Sequence, residues 1–226
     1  MSAKDKVKEA LGYCFEHMKL KGTANEKALL MYSGGMDSVS LLWNLLEHTE
    51  QEIHVHAIHL HNSEGRHKAE AAAVLNSIQY IKENHRNFEF SSSVYSWVAK
   101  GCGGRDMTLA LFQASRVAAG LGKNFSAVYT GDYNMAKEEA AEAYGVLNAM
   151  TTGKRIRPVW ATPFDYLTKV SVERSKAIYL SMPEELRELY WSCRRPAEAG
   201  NGFITCGECH ACKRQIAMKR SIQCQK

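Results

Sequence analysis

Apolar positions along the chain follow two spacings, and the switches between them mark its elements. Residues 3–20 place Val7, Ala10, Leu11, Cys14, Phe15 and Met18 on one helical stripe, closed by Lys19, Lys21 and Gly22. Ala28 to Tyr32 is a short run with no polar alternation, as expected of a strand buried on both faces. It ends in Ser33-Gly34-Gly35-Met36-Asp37-Ser38, after which Val39, Leu42, Trp43 and Leu46 resume helical spacing. The unit is strand, glycine loop, helix. Further strands are predicted over 53–60, 88–94, 126–130 and 156–160, with helices over 66–84, 106–121 and 168–181 and a helical Ala/Glu-rich stretch after 132. Strands alternating with helices predict an α/β fold with a doubly wound parallel sheet, covered on both faces. The glycine loop and Gly131-Asp132 both fall at predicted strand C-termini, the edge where such sheets bind ligands.

Composition narrows the class. Of 226 residues, 45% are apolar and 23% charged, ordinary for a globular protein and unlike a disordered or collagen-like chain. No apolar run reaches the roughly 18 residues of a membrane helix. The opening segment is too interrupted by charge to be a secretory signal, so a cytoplasmic location with reduced thiols is expected. The net charge of +5 is uneven: residues 151–226 carry 14 basic and 7 acidic side chains. A solvated face and a site for anionic ligands both fit that excess. The sequence divides into an α/β domain over 1–182 and a C-terminal segment over 183–226.

The glycine loop carries the first candidate chemistry. Two adjacent glycines allow close backbone approach, and backbone N–H groups there, with the following helix N-terminus, make an anion site. Ser33 and Ser38 add hydroxyls. Asp37 repels phosphate, so it suits a helix N-cap, a handle for Mg2+ or a loop-orienting group. No lysine follows in the Walker A position.

Cysteines carry the second. Seven is an odd number, which suits a disulfide framework poorly. Cys193, Cys206, Cys209 and Cys212 are spaced C-x12-C-x2-C-x2-C. C-x2-C lets two thiolates grip one ion while the intervening backbone donates to sulfur. Zn2+ in a four-thiolate tetrahedron is the leading reading, and an iron–sulfur cluster is the rival. Cys14 reads as core; Cys102 and Cys224 have no partner by spacing.

The S-G-G-x-D-S loop resembles that of the PP-loop ATP pyrophosphatase superfamily, whose members bind the pyrophosphate of ATP there and adenylate a substrate. With the cysteine knuckle, the chain resembles the 7-cyano-7-deazaguanine synthase (QueC) family. Arg66-His67-Lys68-Ala69-Glu70, Thr162-Pro163-Phe164 with Leu167-Thr168-Lys169, Trp191-Ser192-Cys193 and the segment Cys206 to Cys212 carry that likeness. Two departures stand out. Gly103-Gly104-Arg105-Asp106 replaces a P-x-R-N motif, and Tyr133 to Glu139 replaces a tyrosine–proline–aspartate stretch that faces the deazaguanine. The first cysteine gap is also longer than the family's.

The resemblance implies a Rossmann-like PP-loop fold, of the adenine nucleotide alpha hydrolase kind, with a four-cysteine zinc segment. It implies conversion of 7-carboxy-7-deazaguanine and ammonia to the 7-nitrile, with ATP, Mg2+ and Zn2+. Asp37, Lys169 and Arg105 are the implied catalytic groups. Ser33, Gly34, Gly35, Asp37, Ser38, His59, Arg66, Gly131 and Asp132 are the implied nucleotide contacts, and His67 and Glu70 shape the site. Free ammonia is expected, since the two segments leave no length for a glutaminase domain. A homodimer is a family expectation, and neither a membrane nor nucleic acid is an expected partner. The alternatives are a QueC-like enzyme that adenylates another substrate, including tRNA thiolation, and a zinc-knuckle module that binds nucleic acid without catalysis.

Overall fold

The computed structural model describes residues 27–61, 64–96, 106–121, 125–131, 145–146, 157–161, 176–200 and 202–223. The helix expected over 3–20, the Ala/Glu-rich stretch up to residue 144 and the motifs at 103–105 and 162–169 lie outside them.

Five strands form one sheet: β1 (Lys27–Tyr32), β2 (Glu52–His61), β3 (Glu89–Ser96), β4 (Phe125–Gly131) and β5 (Arg157–Ala161). Their order is β3-β2-β1-β4-β5, and every neighbouring pair is parallel. β1 is central, with β2 and β4 on its two sides. Its residues Ala28 to Tyr32 are all buried, as the unbroken apolar run requires.

Helices cover both faces. α1 (Met36–His48) and α2 (His67–Asn84) pack with Ala28, Leu30 and Tyr32 of β1 and Ile53, Val55 and Ala57 of β2. α3 (Asp106–Gly120) packs Leu111, Ala114 and Ala118 against Leu29, Met31 and Val128 on the other face. This is the doubly wound α/β arrangement that the alternating pattern predicts. Of the helix predicted over 168–181, residues 176–181 are described and helical.

Two polar devices fix the sheet's geometry. Arg86, after α2, donates to the carbonyls of Leu46, Thr49 and Gln51 at 3.1, 2.9 and 2.9 Å. It thereby satisfies backbone acceptors at the end of α1, where a cation also suits the helix dipole. The second is a ladder between β2 and β3. His54 lies between Glu89 Oε2 (2.8 Å) and Ser91 Oγ (2.7 Å), and His56 between Ser91 Oγ (2.8 Å) and Ser93 Oγ (3.0 Å). The strand alternation puts these groups on one face.

The C-terminal segment adds α4 (Glu184–Arg187), a two-stranded antiparallel ribbon of β6 (Ala197–Ala199) and β7 (Gly202–Ile204), and α5 (His210–Gln223). Met218 of α5 enters the same core as α1 and α2. None of the described helices is long and apolar enough to cross a membrane.

His56 gives the fold a pH dependence. Burial, then the neighbouring His54 and His59, pushes its pKa down from 6.5 to about 4. The unfolded chain therefore binds the extra proton first as pH falls. Stability contributed by neutral His56 is fully present above pH 6.5 and drains away as pH falls toward 4. Urea unfolding across that window should show this slope, and His56→Gln should make it shallower.

Candidate nucleotide site and metal centre

The site forms at the C-terminal edge of the sheet, where chain order changes direction between β1 and β4. Residues 33–35 leave β1 and turn directly into α1. Gly34 has φ +70°, and a Cβ there would lie 2.9 Å from Val74 Cγ2 and 3.0 Å from Val74 N. Both the left-handed backbone and the approach of α2 demand glycine. Gly131 closes the other side. A Cβ on it would lie 3.0 Å from Ser38 N and 3.1 Å from the Asp37 carbonyl carbon. The first turn of α1 therefore rests on the end of β4.

The two serines of the loop do different work. Ser38 is buried, and its hydroxyl donates to Gly35 O at 3.1 Å and accepts from Ser33 N–H at 3.3 Å. It organises the loop from inside. Ser33 is exposed, lines the cavity and accepts from Gly35 N–H at 3.3 Å. Gly35 is the N-cap of α1 and no side chain caps the helix, so Asp37 in the first turn does not act as an N-cap. Its Oδ2 instead pairs with Arg214 Nη2 of α5 at 2.9 Å. Among the roles open to Asp37, orientation is the one with a visible contact.

A cavity of about 400 Å3 opens above this floor. One wall is apolar: Met31, Ile58, Leu60, Leu109 and Ala110. Polar lining of the cavity comes from Arg66, Arg194, His210 and Arg214. Thr130 also lines it; the residue is buried and its hydroxyl has no hydrogen-bond partner. Such a hydroxyl is a ready contact for a ligand. Arg66 is held by Glu64 at 2.7 Å and Glu70 at 3.1 Å, which fixes its direction and offsets much of its charge.

His59 is not on the cavity wall. Ile58 and Leu60 occupy it, and strand alternation turns His59 to the other face, where burial and then His61 lower its pKa. His67 stands beside His61, with ring centroids 4.1 Å apart. The structure thus brings Ser33, Gly35, Asp37, Arg66 and Gly131 to one cavity. Gly34 and Ser38 support it from behind. Asp132, Arg105 and Lys169 lie outside the described residues.

The four cysteines converge. The Sγ atoms of Cys193, Cys206, Cys209 and Cys212 all lie within 4.8 Å of one another, and Cys206 and Cys212 are 3.9 Å apart. Four thiolates around one Zn2+ at about 2.3 Å would stand roughly 3.8 Å apart, so the set fits a single ion. Backbone N–H groups point at the sulfurs. Arg195 and Cys206 donate to Cys193 at 3.4 and 3.3 Å, Cys209 donates to Cys206 at 3.4 Å, and Arg194 to Cys209 at 3.5 Å. Burial raises the Cys193 and Cys212 thiols. Burial also opposes ionisation of Cys209, but donation from Arg194, Cys212 and the neighbouring thiols outweighs it and brings the pKa to about 6. Backbone donation from Cys209 and Glu208 lowers Cys206. The Cys209 thiolate is therefore accessible near neutral pH, as a metal ligand requires.

The long first gap is the β6–β7 ribbon, which turns at Gly200 with φ +57° and leaves both ends beside the cluster. Sequence reasoning missed Thr130, Arg194, His210 and Arg214. Arg194 and Arg214 belong to the basic excess after residue 150, a signal too diffuse to single them out, and His210 stood out only as a possible substitute ligand inside the cysteine knuckle.

Two substitutions test this geometry. Cys209→Ser should lose the bound ion, read as metal per chain by atomic spectroscopy. Gly131→Ala should destabilise the fold by about 1–3 kcal/mol in urea titration, because its Cβ meets backbone.

No protein-family model matches the chain, and no curated protein matches it. Among solved structures it is similar to the U34-tRNA thiolase NcsA from Methanococcus maripaludis with its [4Fe-4S] cluster. The TM-score is 0.47 and the identity 11%, over 95% of this chain and 89% of that one.

Proposed function

We propose that the chain is an ATP-dependent adenylating enzyme of the PP-loop kind, with 7-carboxy-7-deazaguanine and ammonia as substrates. The observation that carries this reading is the cavity, whose lining joins the glycine loop to apolar residues and arginines. A nucleotide likewise joins a flat ring to phosphates.

The chemistry follows from the carboxylate's resistance to ammonia. The substrate carboxylate oxygen attacks the α-phosphorus of ATP, the α–β bridge breaks, and pyrophosphate leaves. Ammonia then attacks the acyl carbon, AMP departs, a proton is released, and an amide remains. The amide oxygen attacks the α-phosphorus of a second ATP, pyrophosphate leaves, and one N–H proton is released. Loss of AMP and the remaining N–H proton gives the nitrile. Loop N–H groups and the arginines would offset charge on the departing pyrophosphate. Mg2+ bound with ATP would supply further charge neutralisation. Cys193, Cys206, Cys209 and Cys212 would hold Zn2+, whose task there is structural. A cluster that gives each thiolate its own iron would spread the sulfurs more widely than the spacing here.

A second reading keeps the adenylation but changes the acceptor to an RNA base, as in tRNA thiolation. It is favoured by His210, Lys213 and Arg220, which share the exposed face of α5 beginning at the cavity mouth. The backbone of RNA would be held there by charge.

The test is ATP turnover with each acceptor. The first reading expects pyrophosphate release that requires both 7-carboxy-7-deazaguanine and ammonia, with the nitrile detected by mass spectrometry. Turnover with tRNA alone would replace it by the second. Asp37→Asn should lower turnover by about tenfold or more while the protein stays folded by circular dichroism.

A further inference from the structure

The cysteine centre and the glycine loop are joined by two arms. One leaves Cys193. Ser192, its neighbour, accepts from Met36 N–H at 3.3 Å. Trp191 donates its backbone N–H to Gly34 O at 2.9 Å and its indole N–H to Cys193 O at 2.9 Å. The other arm leaves Cys212. Arg214, two residues on, pairs with Asp37 at 2.9 Å, with side chains only 13% and 17% exposed. Both arms end on residues 34–37, of which Gly35 and Asp37 line the cavity.

The segment that carries these arms is anchored at its two ends by Leu186, Tyr190 and Met218 in the main core, and between the arms it makes the exposed ion pairs Lys68–Glu198 and Arg194–Glu64. β6 and β7 are largely exposed, and Cys193 and Cys212 are buried beside the two arms. An ion shared by four thiolates is a cross-link, and its binding free energy becomes folding free energy for the segment. Without it, the four sulfurs have no common ion and both arms lose that cross-link.

We propose that Trp191, Ser192 and Arg214 are positioning residues through which the ion in the cysteine centre sets the shape of the glycine loop. Nucleotide affinity is therefore coupled to metal loading. The coupling to nucleotide rests on the adenylation reading above; the coupling to loop shape does not. Arg214 has a double place. It holds Asp37 in the absence of ligand, and it lines the cavity in which phosphate would sit. Its charge is delivered only when the segment is folded.

The experiment uses the full chain in three states: metal-loaded, stripped by a chelator under reducing conditions, and reloaded with Zn2+. Two readouts are taken. Amide hydrogen exchange is followed at residues 34–38, with β1 and β4 as internal reference. ATP affinity is measured by equilibrium dialysis with Mg2+ and no acceptor. Stripping should speed exchange at the loop and weaken ATP binding by about tenfold, within the usual range of coupling between sites, and reloading should reverse both. Arg214→Gln should keep its ion yet show the same two losses, and Arg214→Lys should recover part of them. Lys219→Gln, on the exposed pair with Glu188, should change neither.

Unchanged exchange at the loop in a stripped but folded protein would overturn the proposal. So would an ion-loaded Arg214→Gln variant with normal loop exchange and ATP affinity, which decides the matter if stripping unfolds the sheet. Ion-dependent loop exchange in a wild type that binds no ATP would support the clamp and remove the adenylation reading instead.

Discussion

Gly34 gives its carbonyl oxygen to the Trp191 N–H across 2.9 Å, while Val74 presses against the side where a Cβ would stand. That close approach on two sides sets everything around it. α2 lies low over the loop because nothing projects from Gly34. The C-terminal segment reaches the loop because its carbonyl turns outward. On the far side Gly131 lets the first turn of α1 settle onto β4. Two glycines thus bring four elements to one point. Gly34 supports the cavity from behind, while Gly131 is part of its lining.

Electrostatics at this point is arranged in pairs. Arg66 is shared by Glu64 and Glu70, and Arg214 is matched by Asp37. Partly buried ion pairs gain little stability against desolvation, and their worth lies in fixing direction. An arginine held by a carboxylate is already oriented, so a phosphate meets a donor that needs no further ordering. The same pairing keeps the cavity from being strongly positive before an anion arrives.

The strand–loop–helix unit was legible because each of its residues is constrained locally. β1 had an unbroken apolar run, and its C-terminal loop had two adjacent glycines. The cysteine cluster was legible from spacing, since C-x2-C bites one ion whatever surrounds it. His59 misled because the face of a strand depends on which helix covers it. Here α3 and the cavity take the side of Ile58 and Leu60. Arg214 was invisible for a related reason. Its partner is 177 residues away in sequence, and no local pattern encodes that distance. The ribbon inside the first cysteine gap looked like a departure in length, yet it folds back on itself and leaves the ligands in place.

The His–Ser ladder has a consequence for how β3 finds its place. Its sequence, Glu-Phe-Ser-Ser-Ser-Val-Tyr-Ser, offers few apolar residues to choose an alignment. A slip of one residue would turn its side chains over, and the sheet resists that. A slip of two would keep the same faces and change little in apolar contact. It would, however, move Glu89 away from His54 and leave each imidazole opposite a different partner. Because serine hydroxyls can re-pair with the imidazoles after such a slip, it is the short Glu89–His54 bond, at about 1 kcal/mol or more, that separates the correct alignment from its nearest competitor. The ladder serves as a ruler, measuring off the strand that greasy contacts alone would let slide.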